Sequence, residues 1–211
     1  MPPLPATDLR TNRGTWAVPV AALPAVGAAL AAALPAEPFD PAFRGQSLTT
    51  TYLDTARLAL RRARVRGRRY LTVRVRHYEP TGLFALSAKT EGAKVRVEVE
   101  PAVARAALGG DRDALAAHLP ADVVARLAEL VGDAPLLPVA EVRCRRFARE
   151  DADDRLTLDA SAHTDTGLCL PFAVLEFKSR DPGAALPAFA AALGSRPARV
   201  SKFLWSTGGG R

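Results

Sequence analysis

The chain has 211 residues, 48% apolar and 24% charged, ordinary proportions for one folded domain with its own core. A net charge of +7 favours an anionic partner. Two cysteines, Cys144 and Cys169, make no metal or disulfide spacing pattern and suit a reducing, cytoplasmic setting. In chain order, residues 1–12 read as a loose tail without a signal pattern, and a first strand is predicted over Gly14–Val18. The apolar stretch Ala17–Ala36 is broken by Pro19, Pro24 and Pro35, which excludes a membrane span and predicts a surface helix over Val20–Leu34. Strands are predicted at Gln46–Asp54, Leu58–Arg66, Arg69–His77, Leu83–Lys89 and Ala93–Glu100, with turns at Gly67 and Gly82. Pro101 opens a helix to Leu108, Asp111 or Asp113 caps another ending at His118, and a third covers Ala121–Val131. Strands resume at Val139–Ala148, Arg155–Ser161 and Phe172–Ser179. A helix follows Pro182-Gly183 to Leu193, then a short segment Val200–Trp205 and a loose tail, 206–211. Short connections between most strands imply antiparallel pairing, hence an α+β fold.

The charge is not spread evenly. Between Arg44 and Arg76 lie ten arginines and one acid, Asp54, counting both ends. In Leu71-Thr72-Val73-Arg74-Val75-Arg76, successive side chains of a strand point to opposite faces, so the arginines share one face and the apolar residues the other. The same alternation recurs at Lys94–Glu100, Arg155–Asp159 and Leu175–Lys178. It places Lys94, Arg96, Glu98 and Glu100 on one face, and Glu176 with Lys178 on another. Two placements follow. The charged faces look into water, or they line an enclosed channel of an approximately eight-stranded closed sheet. A channel would have to hold a polyanion, because packed cations repel and each loses hydration. Guanidinium forks suit phosphate oxygens. Tyr52, Tyr70 and Tyr78 form no stacking motif, so nucleic acid is not the expected partner.

Several of these residues recur as an ordered set. Tyr52-Leu53-Asp54-Thr55, Arg64, Val73-Arg74-Val75-Arg76-His77-Tyr78, Lys89, Lys94, Arg145-Arg146-Phe147-Ala148, Asp154–Asp159, Val174–Ser179 and Ser201-Lys202-Phe203 together resemble the VTC domain. This is the polyphosphate polymerase domain of the vacuolar transporter chaperone family, within the triphosphate tunnel metalloenzymes. The resemblance spans about Gly14 to Phe203 and implies a single domain over 1–211. It implies an antiparallel closed β-tunnel with a basic interior and flanking helices. It assigns phosphate binding to Arg64, Arg74, Arg76, Lys89, Lys94, Arg146, Arg155 and Lys202, and catalytic roles to Arg74, Arg76 and Lys178. It assigns a divalent metal, Mn or Mg, to Glu176. ATP or polyphosphate would be the partner, with no membrane span.

The chain departs from that pattern. The first-strand Glu-x-Lys-aromatic becomes Arg13, Thr15 and Trp16, a Glu becomes Ser87, and an aromatic becomes Cys144. The phosphate-binding residues persist better than the acids. Three functions follow as expectations: a polyphosphate polymerase, a triphosphate or polyphosphate hydrolase, and a binding module with weakened chemistry. Asp54 and Asp159 read by default as turn or ion-pair residues, and His77, His118 and His163 as structural.

Overall fold

The computed structural model describes residues 11–35, 44–67, 69–91, 93–181, 196–198 and 200–208. The helix expected over 183–193 lies outside the described residues. The fold is α+β. Its strands are β1 Thr11–Pro19, β2 Gln46–Asp54, β3 Thr72–Tyr78, β4 Leu83–Lys89, β5 Lys94–Val99, β6 Leu137–Glu150, β7 Asp154–Thr164, β8 Phe172–Ser179 and β9 Arg196–Pro197. The helices among the described residues are α1 Leu23–Ala33, α2 Ala59–Val65, α3 Pro101–Leu108, α4 Arg112–Ala116, α5 Ala121–Val131 and α6 Lys202–Ser206. A 3₁₀ turn, Val20–Ala22, leads into α1.

The residues gather into two compact units whose boundaries fall inside β2 and β6. The first contains the described residues of 49–142 and 201–208, with strand order β5-β4-β3-β2-β6. The second contains the described residues of 11–48 and 143–200, with strand order β2-β6-β7-β8-β1-β9. The strand order begins at β5 and ends at β9. No pairing joins these two among the described residues, so strand pairing does not close the sheet into the expected tunnel.

In the first unit, β3 pairs with β4 and β4 with β5, all antiparallel. Val73, Val75, Leu86, Ala88 and Val99 form the apolar face, and α3 packs on β3 and β4. Pro101 sits at the start of α3, where its missing N–H costs nothing. Asp111 caps α4, accepting from the N–H groups of Asp113 at 2.9 Å and Ala114 at 3.0 Å. In the second unit, Val26 and Leu30, one turn apart on α1, pack on Val18, Leu156, Leu158, Leu175 and Phe177. Trp16 and Phe147 pack at the margin of this core.

One predicted strand is a helix. The two-residue spacing of Arg62, Arg64 and Arg66 imitates a strand, but Ala59-Leu60-Arg61-Arg62-Ala63-Arg64 is a run of strong helix formers. Asp54 fixes the start. Its carboxylate accepts from the N–H groups of Thr55 at 2.7 Å, Leu60 at 2.8 Å and Arg61 at 2.8 Å. Asp54 is fully buried, so it is a backbone clamp rather than an ion-pair or turn residue. Asp54→Ala leaves these donors without their carboxylate, at about 1–3 kcal/mol for a buried unsatisfied group. The expected result in urea unfolding is a loss of at least that size. A loss within error would reject the clamp.

Candidate functional site

Each unit carries a basic sheet face of its own. In the first unit the register sets Arg74 opposite Ser87 and Ser87 opposite Arg96. The adjacent rows align Arg76, Ala85 and Glu98, and Thr72, Lys89 and Lys94. Arg74, Arg76, Lys89 and Lys94 therefore share one sheet face, opposite the apolar face beneath α3. Lys89 and Lys94 face each other directly in the β4–β5 register.

Two of these guanidiniums are buried. Arg76 is 7% exposed and Arg96 8%. Arg76 Nε donates to Thr50 Oγ1 at 3.1 Å, and its guanidinium lies 5.9 Å from the centre of the Tyr78 ring. Arg76 has no carboxylate partner among the described residues. Arg96 donates from Nη1 to the Tyr78 hydroxyl at 3.2 Å, so Tyr78 lies between two buried cations. The resemblance assigns Arg96 no role, yet it stands two residues beyond Lys94 on the same strand face, which marks it in the sequence.

Arg64 and Lys202 belong to helices, not to the basic strand face. Arg64 lies on α2 with its guanidinium 3.6 Å from the centre of the Tyr70 ring. Burial lowers the Arg64 pKa from its ordinary value, and the nearby Glu91 charge opposes that shift. Lys202 is the first residue of α6, which packs against α2. Ser201 caps α6 with its hydroxyl, a structural task.

In the second unit, β8 runs between β1 and β7. Glu176 is flanked in register by Thr15 and Thr157, and Lys178 stands opposite Arg155. Arg155 Nε lies 3.4 Å from Glu150 Oε2. Arg146 makes a bidentate bond to Asp159, Nε to Oδ1 at 2.6 Å and Nη2 to Oδ2 at 2.7 Å. Asp159 is thus the ion-pair residue expected, and Arg146 turns toward its face of the sheet. Arg145 turns away, with its guanidinium on the Arg44 carbonyl at 2.9 Å from Nε.

The first strand differs from the sequence alignment. The β1–β8 register shifts between Asn12 and Gly14, which sets Arg13 in a bulge. Asn12, not Arg13, reaches Glu176: Asn12 Nδ2 donates to Glu176 Oε1 and to Thr15 Oγ1, both at 3.2 Å. Among the described residues no three His, Cys, Asp or Glu side chains gather as a metal site. The groups flanking Glu176 are nevertheless oxygen donors, one carboxylate and the hydroxyls of Thr15 and Thr157. That set suits a hard divalent ion whose remaining ligands are phosphate oxygens. A pocket bordered by Leu83, Glu98, Glu100 and His118 carries acids, which disfavours it as an anion site.

No protein-family model matches the chain, and no curated protein matches it. Among solved structures it is similar to a Bacillus halodurans protein provisionally named an adenylate cyclase. The TM-score is 0.67 at 15% identity, over 95% of this chain and 98% of that one. At that identity the likeness establishes a shared fold. A Pyrococcus horikoshii protein, PH1012, covers 88% of this chain and 90% of its own at TM-score 0.44 and 13% identity. A conserved hypothetical protein of Pyrococcus furiosus covers 85% and 83% at TM-score 0.41 and 10% identity. No helix among the described residues is long and apolar enough to cross a membrane.

Proposed function

We propose that the chain binds the triphosphate group of a nucleoside triphosphate or of polyphosphate, and acts as a polyphosphate polymerase of the triphosphate tunnel type. One observation carries the reading: Arg76 is buried, and no acid among the described residues pairs with it. Buried charges are normally paired, because stripping an ion of water costs several kcal/mol. A phosphate group would supply the missing charge and match the guanidinium fork. Arg74, Arg96, Lys89, Lys94 and Lys202 are assigned to the same anion, with Arg64 on the adjoining helix. Arg146, Arg155 and Lys178 are assigned to phosphate in the second unit, and Glu176 to a Mn or Mg ion.

In this reaction the bond between the β- and γ-phosphates of ATP breaks. The γ-phosphoryl group passes to a terminal oxygen of the chain, and ADP leaves. The acceptor is already an anion, so little base catalysis is needed. The protein's part is positioning and charge neutralisation. A divalent ion, when bound, would draw charge from the phosphate oxygens. The fold shared with a protein named an adenylate cyclase is compatible, since a cyclase also takes a nucleoside triphosphate.

The test supplies ATP with manganese and follows polyphosphate, inorganic phosphate, ADP and cyclic nucleotide. Polyphosphate with matching ADP supports the polymerase. Phosphate release alone moves the assignment to a hydrolase, and cyclic nucleotide with pyrophosphate to a cyclase. Tight triphosphate binding without turnover leaves a binding module. That last reading has its own support in the Asn12 amide, which donates to Glu176 where the family pattern places an acid.

Tyr78→Phe tests the buried arginine pair. It removes one hydroxyl from Arg96 and keeps the ring beside Arg76. A net hydrogen bond contributes about 0.5–1.5 kcal/mol, so triphosphate binding is expected to weaken about two- to tenfold. Calorimetry on a variant with native circular dichroism measures it. Unchanged affinity would remove Arg96 and its hydroxyl partner from the site.

A further inference from the structure

We propose that the exposed arginines on and beside α2, Arg57, Arg62 and Arg66, form a second anion-binding surface that takes the length of a phosphate chain extending beyond the buried arginines of β3 and β5. The inference rests on the phosphate-binding reading above. The segment 57–69 holds seven arginines and no acid, and Arg68 among them lies outside the described residues. Arg57, Arg62 and Arg66 are exposed, and none makes a side-chain hydrogen bond or ion pair among the described residues. Arg66 N–H bonds the Arg62 carbonyl at 3.1 Å, so these two side chains stand one helical turn apart on one side. Two other arginines are already occupied. Arg64 covers Tyr70, and exposed Arg69 lies 3.3 Å from Glu129.

Like charges one turn apart destabilise a helix, and ordinary protein surfaces intersperse the two signs. Here the nearest acid in sequence, Asp54, is buried with its oxygens committed to backbone N–H groups. It offers the exposed guanidiniums nothing. The patch also adjoins the elements assigned to phosphate in the same unit. α2 packs on β3, which carries Arg74 and Arg76, and on α6, which carries Lys202. A chain held by the buried arginines and extended past α2 would meet exposed arginines next.

The chemistry favours a bare phosphate chain over nucleic acid. Single-stranded nucleic acid is held by stacking its bases on open aromatic rings. Tyr52 and Phe203 are buried against each other, with ring centres 5.2 Å apart, and one face of Tyr70 is covered by Arg64.

The experiment compares the native chain with the triple variant Arg57→Gln, Arg62→Gln, Arg66→Gln. Each binds inorganic triphosphate, long-chain polyphosphate and a single-stranded RNA homopolymer over a range of salt. The expected result is a loss of at least about tenfold for long-chain polyphosphate at ~0.1 M salt, with triphosphate affinity unchanged. The slope of log K against log salt for the long chain should fall in magnitude by about two, near 0.7 for each lost contact on a single strand. Equal losses for triphosphate and long chain, or no loss for either, would overturn the inference. So would RNA held as tightly as polyphosphate of equal charge. If the native chain binds triphosphate but holds the long chain no more tightly, this inference fails and the function stands. If it binds neither phosphate, the proposed function itself fails.

Discussion

Arg76→Met is expected to cost the protein its ligand while leaving the unligated fold as stable as before, or more so. An ordinary core mutation loses both, so the split is diagnostic. In the free protein Arg76 is buried with one hydroxyl and one ring for company. Replacing buried ionic groups by apolar side chains of similar volume is often neutral, or stabilising by about 1–4 kcal/mol. Methionine follows the length of the arginine stem, and the Thr50 hydroxyl gives up one accepted hydrogen bond. In the complex the balance reverses, because a charge-assisted hydrogen bond contributes about 1.5–3 kcal/mol. Triphosphate affinity should therefore fall about ten- to 150-fold, by calorimetry at fixed salt. The melting temperature without ligand should hold or rise. A variant that binds normally would dismiss Arg76 from the site. One that melts well below the native chain would show the guanidinium to be structural.

Glu176→Gln is expected to abolish metal-dependent turnover with little effect on folding. Glu176 is part-exposed on β8, between Thr15 and Thr157 in register. Glutamine keeps its shape and still offers an oxygen to Asn12 Nδ2. It lacks the negative charge that a Mg-like ion requires from a site with few protein carboxylates. Turnover of ATP with manganese should drop to background, and manganese binding measured by electron paramagnetic resonance should weaken in parallel. Turnover equal to that of the native chain would take Glu176 out of the mechanism. Because Asn12 reaches Glu176 on the strand where the family pattern carries an acid, Asn12→Asp supplies the complementary arm. A second carboxylate beside Glu176 should tighten manganese binding.

The sequence by itself determined which residues share a face. In β3, β5, β7 and β8, cations or acids alternate with apolar residues. The two-residue period of a strand separates them without reference to any neighbour. The sequence also marked α3 by Pro101 and α4 by Asp111 or Asp113, since a helix start is a local event, and the structure selects Asp111. Local patterns failed at Leu58–Arg66, where arginines two apart suggested a strand. The decision fell to helix propensity and to the buried Asp54 carboxylate, whose bonds to Leu60 and Arg61 bridge six and seven residues.

Burial and register are non-local, and only the tertiary structure decided them. Arg96 and Arg76 become buried because β3, β4 and β5 align and Thr50 and Tyr78 meet them there. The bulge at Arg13 follows from how β1 pairs with β8. One extra residue turns Asn12 toward Glu176 in place of Arg13, an exchange of faces that no one-dimensional alignment reveals. The alternation tells which charges travel together. What they meet depends on strands far away in the chain, because neutralising a charge requires a partner in space.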